Sequence, residues 1–171
     1  MLGLSKQSTY ELNGNKMSCR GTNIKQIWDI LADLLLLVPF WIKGVGFVSW
    51  GVYLQGKSIY NKTLMALHMQ DRVYLNGHSL GAGNCLIVAI LLLKDNYKGQ
   101  IEINAIGGVK CLSKKAALYL KVKNVRTTWR VRHRDPVPHI GPWKEPMHNT
   151  PVEGDQKTWF FDYSMQEHVK Y

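Results

Sequence analysis

The clearest indication of the fold is one stretch of eleven residues, Val73-Tyr74-Leu75-Asn76-Gly77-His78-Ser79-Leu80-Gly81-Ala82-Gly83. It opens with apolar residues, turns through a glycine-rich segment and leads into an unbroken apolar run from Leu86 to Leu93. β-Branched and aromatic residues favour a strand, and closely spaced glycines permit a reversal that side chains would block. This order predicts a strand, a sharp turn at Ser79 and a buried helix.

A Gly-x-Ser-x-Gly sequence between a strand and a helix is typical of a nucleophile elbow. Gly77 and Gly81 remove side chains where the chain reverses, so Ser79 is expected to have a strained backbone and an exposed hydroxyl. His78 adjoins the nucleophile and is expected only to shape the site. The alternative is a glycine-rich helix start that binds phosphate, but the lysine of a phosphate-binding loop is absent from this segment.

The rest of the chain alternates short apolar strands with amphipathic helices. Strands are predicted at 17–19, 73–75, 101–106 and 125–131, and helices at 24–36, 47–67, 80–94 and 113–120. Such alternation favours an α/β fold, with a mainly parallel sheet covered by helices on both faces. With 171 residues and neither repeat nor linker, one domain over residues 1–171 is predicted. Residues 135–157 are rich in Pro and Gly, which predicts a long functional loop.

Segment 34–54 is apolar, but Pro39, Lys43 and three glycines interrupt it. Its unbroken apolar part, 34–42, is far shorter than the roughly 20 residues of a membrane-spanning helix, so a helix end followed by a turn is predicted. No secretory signal is recognisable near the first residue, which makes the cytoplasm the default location and leaves other export routes open. The three cysteines cannot all pair and are expected to be reduced and structural: Cys19, Cys85 and Cys111.

Positive charge is concentrated in one part of the chain. The formal net charge is +10, and residues 94–134 contain eleven Lys and Arg side chains against two acids. Clustered cations attract polyanions, so an anionic membrane or lipid surface is a candidate partner; the alternative is an ordinary solvated face. Nucleic acid is not expected, because no known nucleic-acid-binding motif occurs.

A serine nucleophile requires N–H donors where the oxyanion develops. One donor is expected from Leu80, the residue after the nucleophile, and the second from a loop after an earlier strand. The segment Cys19-Arg20-Gly21-Thr22 closes the first predicted strand and suits that role, with Thr22 offering its N–H and its hydroxyl. Alternatively, Thr22 is simply the N-cap of the following helix.

Taken in order, these motifs resemble the fungal-type, or class 3, lipase family of the α/β-hydrolase superfamily. That family carries Arg-Gly-Ser/Thr, a short helix with Trp, an Asp-Leu pair, a Gly-Phe pair and Gly-His-Ser-Leu-Gly. The corresponding residues here are Arg20-Gly21-Thr22, Trp28, Asp33-Leu34, Gly46-Phe47 and residues 77–81. One departure is Gly107-Gly108-Val109-Lys110, where the family has Gly-x-Pro-Arg-Val-Gly.

The resemblance implies that the helix after Thr22 is a lid. Its apolar stripe at helical spacing would cover an acyl pocket and then meet lipid: Ile24, Ile27, Trp28, Leu31 and Leu35. The alternative is a core helix that never moves. The resemblance also implies that Asp33 helps to hold the oxyanion loop, although the sequence by itself is equally compatible with a surface acid.

The triad acid and base are expected after the nucleophile, in the order Ser, acid, His. Asp135 follows a predicted strand end and resembles the family's Asp-x-Val-Pro acid; the alternative is a turn-forming Asp before Pro. His168 lies in Glu167-His168-Val169-Lys170-Tyr171, which resembles the family's acid-His-x-x-Tyr pattern, and is assigned as the base. His148 in the long loop is the alternative, since His133 is too near Asp135 and His139 matches a family His that is not the base.

The sequence therefore predicts a serine hydrolase that cleaves carboxylic esters, with lipid esters as the expected substrates. Alternatives are a phospholipase or acyltransferase on the same fold, or a non-catalytic protein that binds a polyanion or membrane surface. No cofactor is expected, and no group of residues has the spacing of metal ligands. The oligomeric state is left open.

Overall fold

A six-stranded sheet forms the centre of the computed structural model, which describes residues 10–21, 37–131, 135–139, 141, 143 and 149–151. Its strands are β1 Tyr10–Asn13, β2 Lys16–Cys19, β5 Arg72–His78, β6 Gln100–Ile106, β7 Arg126–Val131 and β8 Asn149–Pro151. Their order in the sheet is β1-β2-β5-β6-β7-β8, in which β1 is antiparallel to β2 and all other neighbours are parallel.

Three described helices and a separate hairpin complete the architecture. The helices are α1 Trp50–His68, α2 Leu80–Lys94 and α3 Lys114–Val122, and a 3-10 turn spans Val137–His139. The hairpin consists of β3 Pro39–Ile42 and β4 Gly46–Ser49, which pair only with each other as a two-stranded sheet.

The two faces of the central sheet differ in polarity because side chains alternate along each strand. One row across the sheet, Met17, Leu75 and Ile103, is apolar and fully or almost fully buried. The next row on the opposite face is polar and consists of Ser18, Asn76, Asn104 and Thr128. Helix α2 packs against β2, β5 and β6 of the central sheet, and α1 packs against α2 in turn.

Helix α2 is buried on nearly all sides, in keeping with its unbroken apolar sequence. It packs against α1 at close range, since a Cβ atom at Gly56 would lie 2.6 Å from the Cβ atom of Ile87. Closer to the start of α2, a Cβ atom at Gly83 would lie 2.8 Å from Val52. These two glycines let the helices approach, which fixes α2 and the turn before it against a rigid layer.

The predicted mainly parallel α/β sheet is confirmed, and the bounds of α2 match the prediction. The predicted helix 47–67 begins too early, because Phe47 to Ser49 pair with β3 as a strand. The predicted helix end and turn within 34–54 is wrong over 39–49, where the chain forms the hairpin. Strand β1 and, within the predicted loop 135–157, strand β8 had no predicted counterpart.

The predicted helix 24–36 lies outside the described residues. None of the helices within the described residues is long and apolar enough to cross a membrane.

All three cysteines are free and buried. Burial raises the pKa of the Cys111 thiol to about 12. Burial also raises the pKa of the Cys85 thiol, which lies against Cys19. Protonated, enclosed thiols are poor nucleophiles and act as small apolar side chains, consistent with the structural role predicted for them.

Candidate active site

Ser79 occupies the turn between β5 and α2 in a backbone conformation that other residues rarely adopt. Its φ is 57° and its ψ is −128°. A non-glycine residue in such a region costs on the order of 1–3 kcal/mol, and such strain clusters at functional sites. Backbone hydrogen bonds maintain it: the Ser79 N–H donates to the carbonyl of Ile106 at 2.9 Å, and its own carbonyl accepts from Ala82 at 3.1 Å.

The glycines on either side of Ser79 are required by close backbone contacts. A Cβ atom at Gly77 would lie 2.5 Å from the Cα atom of Ala82. A Cβ atom at Gly81 would lie 2.3 Å from the carbonyl oxygen of Cys19. Real Cβ atoms do not approach backbone atoms this closely, so any larger residue at either position would displace β2 or the start of α2.

The hydroxyl of Ser79 lies at the N-terminus of a long buried helix. The residue is 1% exposed, so the prediction of an exposed hydroxyl is wrong, and its Oγ atom has no hydrogen-bond partner among the described residues. A buried hydroxyl without a partner costs about 1–3 kcal/mol, which makes this serine unfavourable for stability alone. The first N–H groups of a helix have no partner within it, and the helix dipole favours negative charge there. The Leu80 N–H, at the first position of α2, therefore suits a developing oxyanion.

The loop after β2 passes directly beside Ser79. Cys19 pairs in register with Gly77, which carries the loop past the elbow. A Cβ atom at Gly21 would lie 2.8 Å from the Cβ atom of Ser79 and 3.0 Å from the carbonyl oxygen of His78. Gly21 thus determines how closely the loop approaches Ser79. Sequence reasoning assigned this loop's function to Thr22 and missed the steric role of Gly21, although a glycine at a strand end was the available signal.

Gly108 is a second residue that sequence reasoning did not assign to the site. A Cβ atom there would lie 2.7 Å from the Cβ atom of Ala82 and 2.8 Å from the ring of Trp129. The loop after β6 therefore passes closely beneath the start of α2. The glycine pair at 107–108, noted as a departure from the lipase pattern, makes this approach sterically feasible.

Asp135 lies just beyond β7, which is two strands from β5 in the sheet. Its side chain is completely buried, and its Oδ1 atom accepts a hydrogen bond from the Val137 N–H at 2.9 Å. The carbonyl of the next residue, Pro136, accepts from the His139 N–H at 3.0 Å, which closes the turn. Burying a carboxylate costs free energy unless it is paired and hydrogen-bonded, so an Asp at this buried position needs such partners. His139 itself is exposed.

The described functional side chains therefore share one edge of the sheet. Residues 20–21, 79 and 135 follow the carboxyl ends of β2, β5 and β7, and ligands of α/β sheets bind at this edge. Among the residues that the structure describes, no group of three or more His, Cys, Asp or Glu side chains is arranged to hold a metal ion. Several predicted site residues lie outside the described residues: Thr22, Ile24, Ile27, Trp28, Leu31, Asp33, Leu35, His133, His148 and His168.

Residues 17–145 match the family model described as lipase (class 3). The fold is similar to that of a lipase from Rhizopus microsporus var. chinensis, with a TM-score of 0.67 and 18% identity over 92% of this chain and 66% of that one. It is also similar to lipase II from Rhizopus niveus, with a TM-score of 0.61 and 19% identity over 74% of this chain and 51% of that one. A third similar structure is the triacylglyceride lipase of Rhizomucor miehei, with a TM-score of 0.55 and 21% identity over 74% of this chain and 52% of that one.

The chain thus spans about half to two thirds of the length of the lipases that it matches. No curated protein sequence matches it. These likenesses show an α/β-hydrolase fold.

Proposed function

Because the chain belongs to the class 3 lipase family, we propose that it hydrolyses carboxylic esters of lipids with Ser79 as its nucleophile. The observation that carries this proposal is the strained backbone of Ser79 at the N-terminus of the buried helix α2. A structural serine has no need of a positive φ. A nucleophile needs such a turn, because its oxygen must face the substrate and a base.

The proposed reaction proceeds through an acyl-enzyme. Ser79 Oγ attacks the ester carbonyl while His168 takes its proton, and the resulting oxyanion is bound by the N–H groups of Leu80 and Thr22. Collapse of this intermediate breaks the bond to the alcohol, which leaves with the proton from His168. Water, deprotonated by the same imidazole, then attacks the acyl-enzyme and releases the fatty acid and Ser79. Asp135 orients His168 and stabilises its charged form.

A substrate series tests the function. We expect turnover of p-nitrophenyl esters, with a preference among chain lengths from acetate to palmitate, and covalent labelling by a fluorophosphonate. Product analysis on phospholipids and on acyl acceptors other than water separates a phospholipase or acyltransferase from a lipase. A chain that neither labels nor turns over any ester would be the non-catalytic binding protein instead, and the proposal would be wrong.

Replacing Asp135 by Asn is expected to lower kcat by about 10³- to 10⁴-fold, because the imidazole would lose its negatively charged partner and take the wrong tautomer. The amide has nearly the same shape, and its oxygen can still accept from the Val137 N–H at 2.9 Å. The fold should therefore persist. Measurement of kcat and of the unfolding midpoint checks both parts.

The matched control is Asp71→Asn, since Asp71 is exposed and lies just before β5, at the opposite edge of the sheet. It removes the same charge and should leave kcat unchanged within about twofold. If Asp135→Asn kept more than about a tenth of the wild-type kcat, Asp135 would not be the triad acid.

A further inference from the structure

The hairpin β3–β4 presents two aromatic side chains to solvent. Trp41 and Phe47 lie directly opposite each other across the two strands, with ring centroids 4.9 Å apart. Trp41 is 46% and Phe47 44% exposed, whereas Ile42 and Val48 on the other face are buried. The hairpin therefore buries its other face in the core and leaves nearly half of each aromatic side chain open to solvent.

The hairpin is held firmly against the start of α3. The Phe47 N–H donates to Ser113 Oγ at 3.1 Å, and the Ser113 N–H donates to the Phe47 carbonyl at 3.0 Å. A Cβ atom at Gly46 would lie 3.0 Å from the backbone nitrogen of Ala116. This contact places the ammonium of Lys115 5.0 Å from the centre of the Trp41 ring, within the range of a cation–π interaction.

Helix α3 extends this surface with further exposed apolar side chains next to lysines. Lys115, Leu118 and Val122 are spaced by three and four residues, so they share one face of the helix. Leu118 is 55% and Val122 69% exposed, while Ala116 and Leu120 on the other side are fully buried. We name as the hairpin–α3 surface the residues Trp41, Lys43, Phe47, Lys114, Lys115, Leu118 and Val122.

Acidic residues are absent from both parts of the sequence that build this surface. No Asp or Glu occurs from residue 34 to 70, nor from 103 to 134. Lys43 and Lys114 are exposed, and the Lys94 ammonium donates to the Lys43 carbonyl at 3.1 Å, which adds another cation at the hairpin turn. The surface thus combines exposed apolar groups with lysines and with no carboxylate from its own segments.

We propose that the hairpin–α3 surface docks onto an anionic phospholipid bilayer. Aromatic side chains such as Trp41 favour the boundary between headgroups and acyl chains, Leu118 and Val122 supply apolar area, and the lysines meet acidic headgroups. A second copy of the chain fits less well, because a symmetric contact would oppose lysine to lysine. A nucleic acid also fits less well, because its phosphate backbone offers no apolar group to the exposed Leu118 and Val122.

This docking would hold the site close to lipid. The chain that leads into α3 contacts the helix of the nucleophile, since a Cβ atom at Gly83 would lie 3.3 Å from Cys111 Sγ. Cys111 in turn accepts, through its carbonyl, a 2.8 Å hydrogen bond from the N–H of Ser49 at the end of the hairpin. The inference adds a membrane partner to the proposed lipid esterase, but docking itself does not require catalysis.

The test uses full-length chain carrying Ser79→Ala, so that vesicles are not hydrolysed, in cosedimentation with phosphatidylcholine vesicles with or without phosphatidylserine. Binding is expected to require phosphatidylserine and to weaken with salt. In this background the pairs Trp41→Ser with Phe47→Ser, and Lys114→Gln with Lys115→Gln, should each lower the apparent affinity by at least about tenfold.

Matched controls lie elsewhere on the surface. Met65→Ser with Met69→Ser removes two apolar residues that are 75% and 80% exposed near the end of α1, and Lys62→Gln with Lys98→Gln removes two exposed lysines. Both pairs should bind vesicles like the parent. The unfolding midpoint of every variant shows that the fold is retained.

The proposal fails if the two surface pairs bind like their controls, or if phosphatidylcholine alone binds equally well. It also fails if light scattering shows a dimer that the surface pairs dissociate, or if a DNA or RNA duplex competes fully with vesicles. Turnover of a soluble ester by the chain with Ser79 intact is measured separately, so loss of docking and loss of the proposed activity are distinguishable.

Discussion

Replacing Ser79 by Ala is expected to lower kcat on soluble esters by on the order of 10⁶-fold and to abolish labelling by a fluorophosphonate. Removal of the nucleophile from comparable serine hydrolases has an effect of that size, and what remains comes from oxyanion binding and substrate positioning. No other hydroxyl lies between β5 and α2, so nothing at the elbow can replace Ser79 as the attacking group. Single-turnover kinetics and mass spectrometry of the labelled peptide check the expectation.

The same substitution should not destabilise the fold. Among the described residues Ser79 Oγ is buried without a hydrogen-bond partner, so its removal eliminates no contact that they supply. We expect the unfolding midpoint to stay the same or rise. The control Ser58→Ala changes an exposed serine of α1 and should retain full activity. A Ser79→Ala protein that still turned over esters or still carried the label would refute the nucleophile assignment.

Replacing His168 by Ala is expected to cost about as much as losing the nucleophile, on the order of 10⁶-fold in kcat, because serine and histidine act as one unit. The corresponding change at the alternative base, His148→Ala, should stay within a fewfold of wild type. Steady-state kinetics of the two variants under the same conditions allow a direct comparison. Added free imidazole should restore part of the activity lost in His168→Ala.

A third variant, His139→Ala, provides the matched control. His139 is exposed and follows Asp135 in the same turn. Its removal therefore tests whether a histidine close to the acid along the chain serves as the base. It should retain near wild-type kcat. If His148→Ala or His139→Ala lost turnover while His168→Ala kept it, the base assignment would have to move to that residue.

Local sequence determined the elements on either side of Ser79. The apolar run of α2 is long enough to be a helix, and the glycines around Ser79 allow the tight turn before it, so the bounds of α2 agree with those predicted. The hairpin was harder to predict, since Phe47 to Ser49 are equally acceptable in a helix. These residues form strand β4 because they pair with β3 and contact residues 111–113. Strand β1 had a local signal in Asn13-Gly14, where Gly14 has a φ of 56°.

The position of the elbow could be predicted from sequence alone, because Gly77, Ser79 and Gly81 lie within five positions of one another. The contacts of Ser79 were decided only by the tertiary structure, including the hydrogen bond from its N–H to the Ile106 carbonyl. Gly21 approaches Ser79 because β2 and β5 pair with Cys19 opposite Gly77, and the burial of Asp135 follows from the position of β7 in the sheet. Strand order and register arise from packing an entire apolar face against the helices, which no short stretch of sequence specifies.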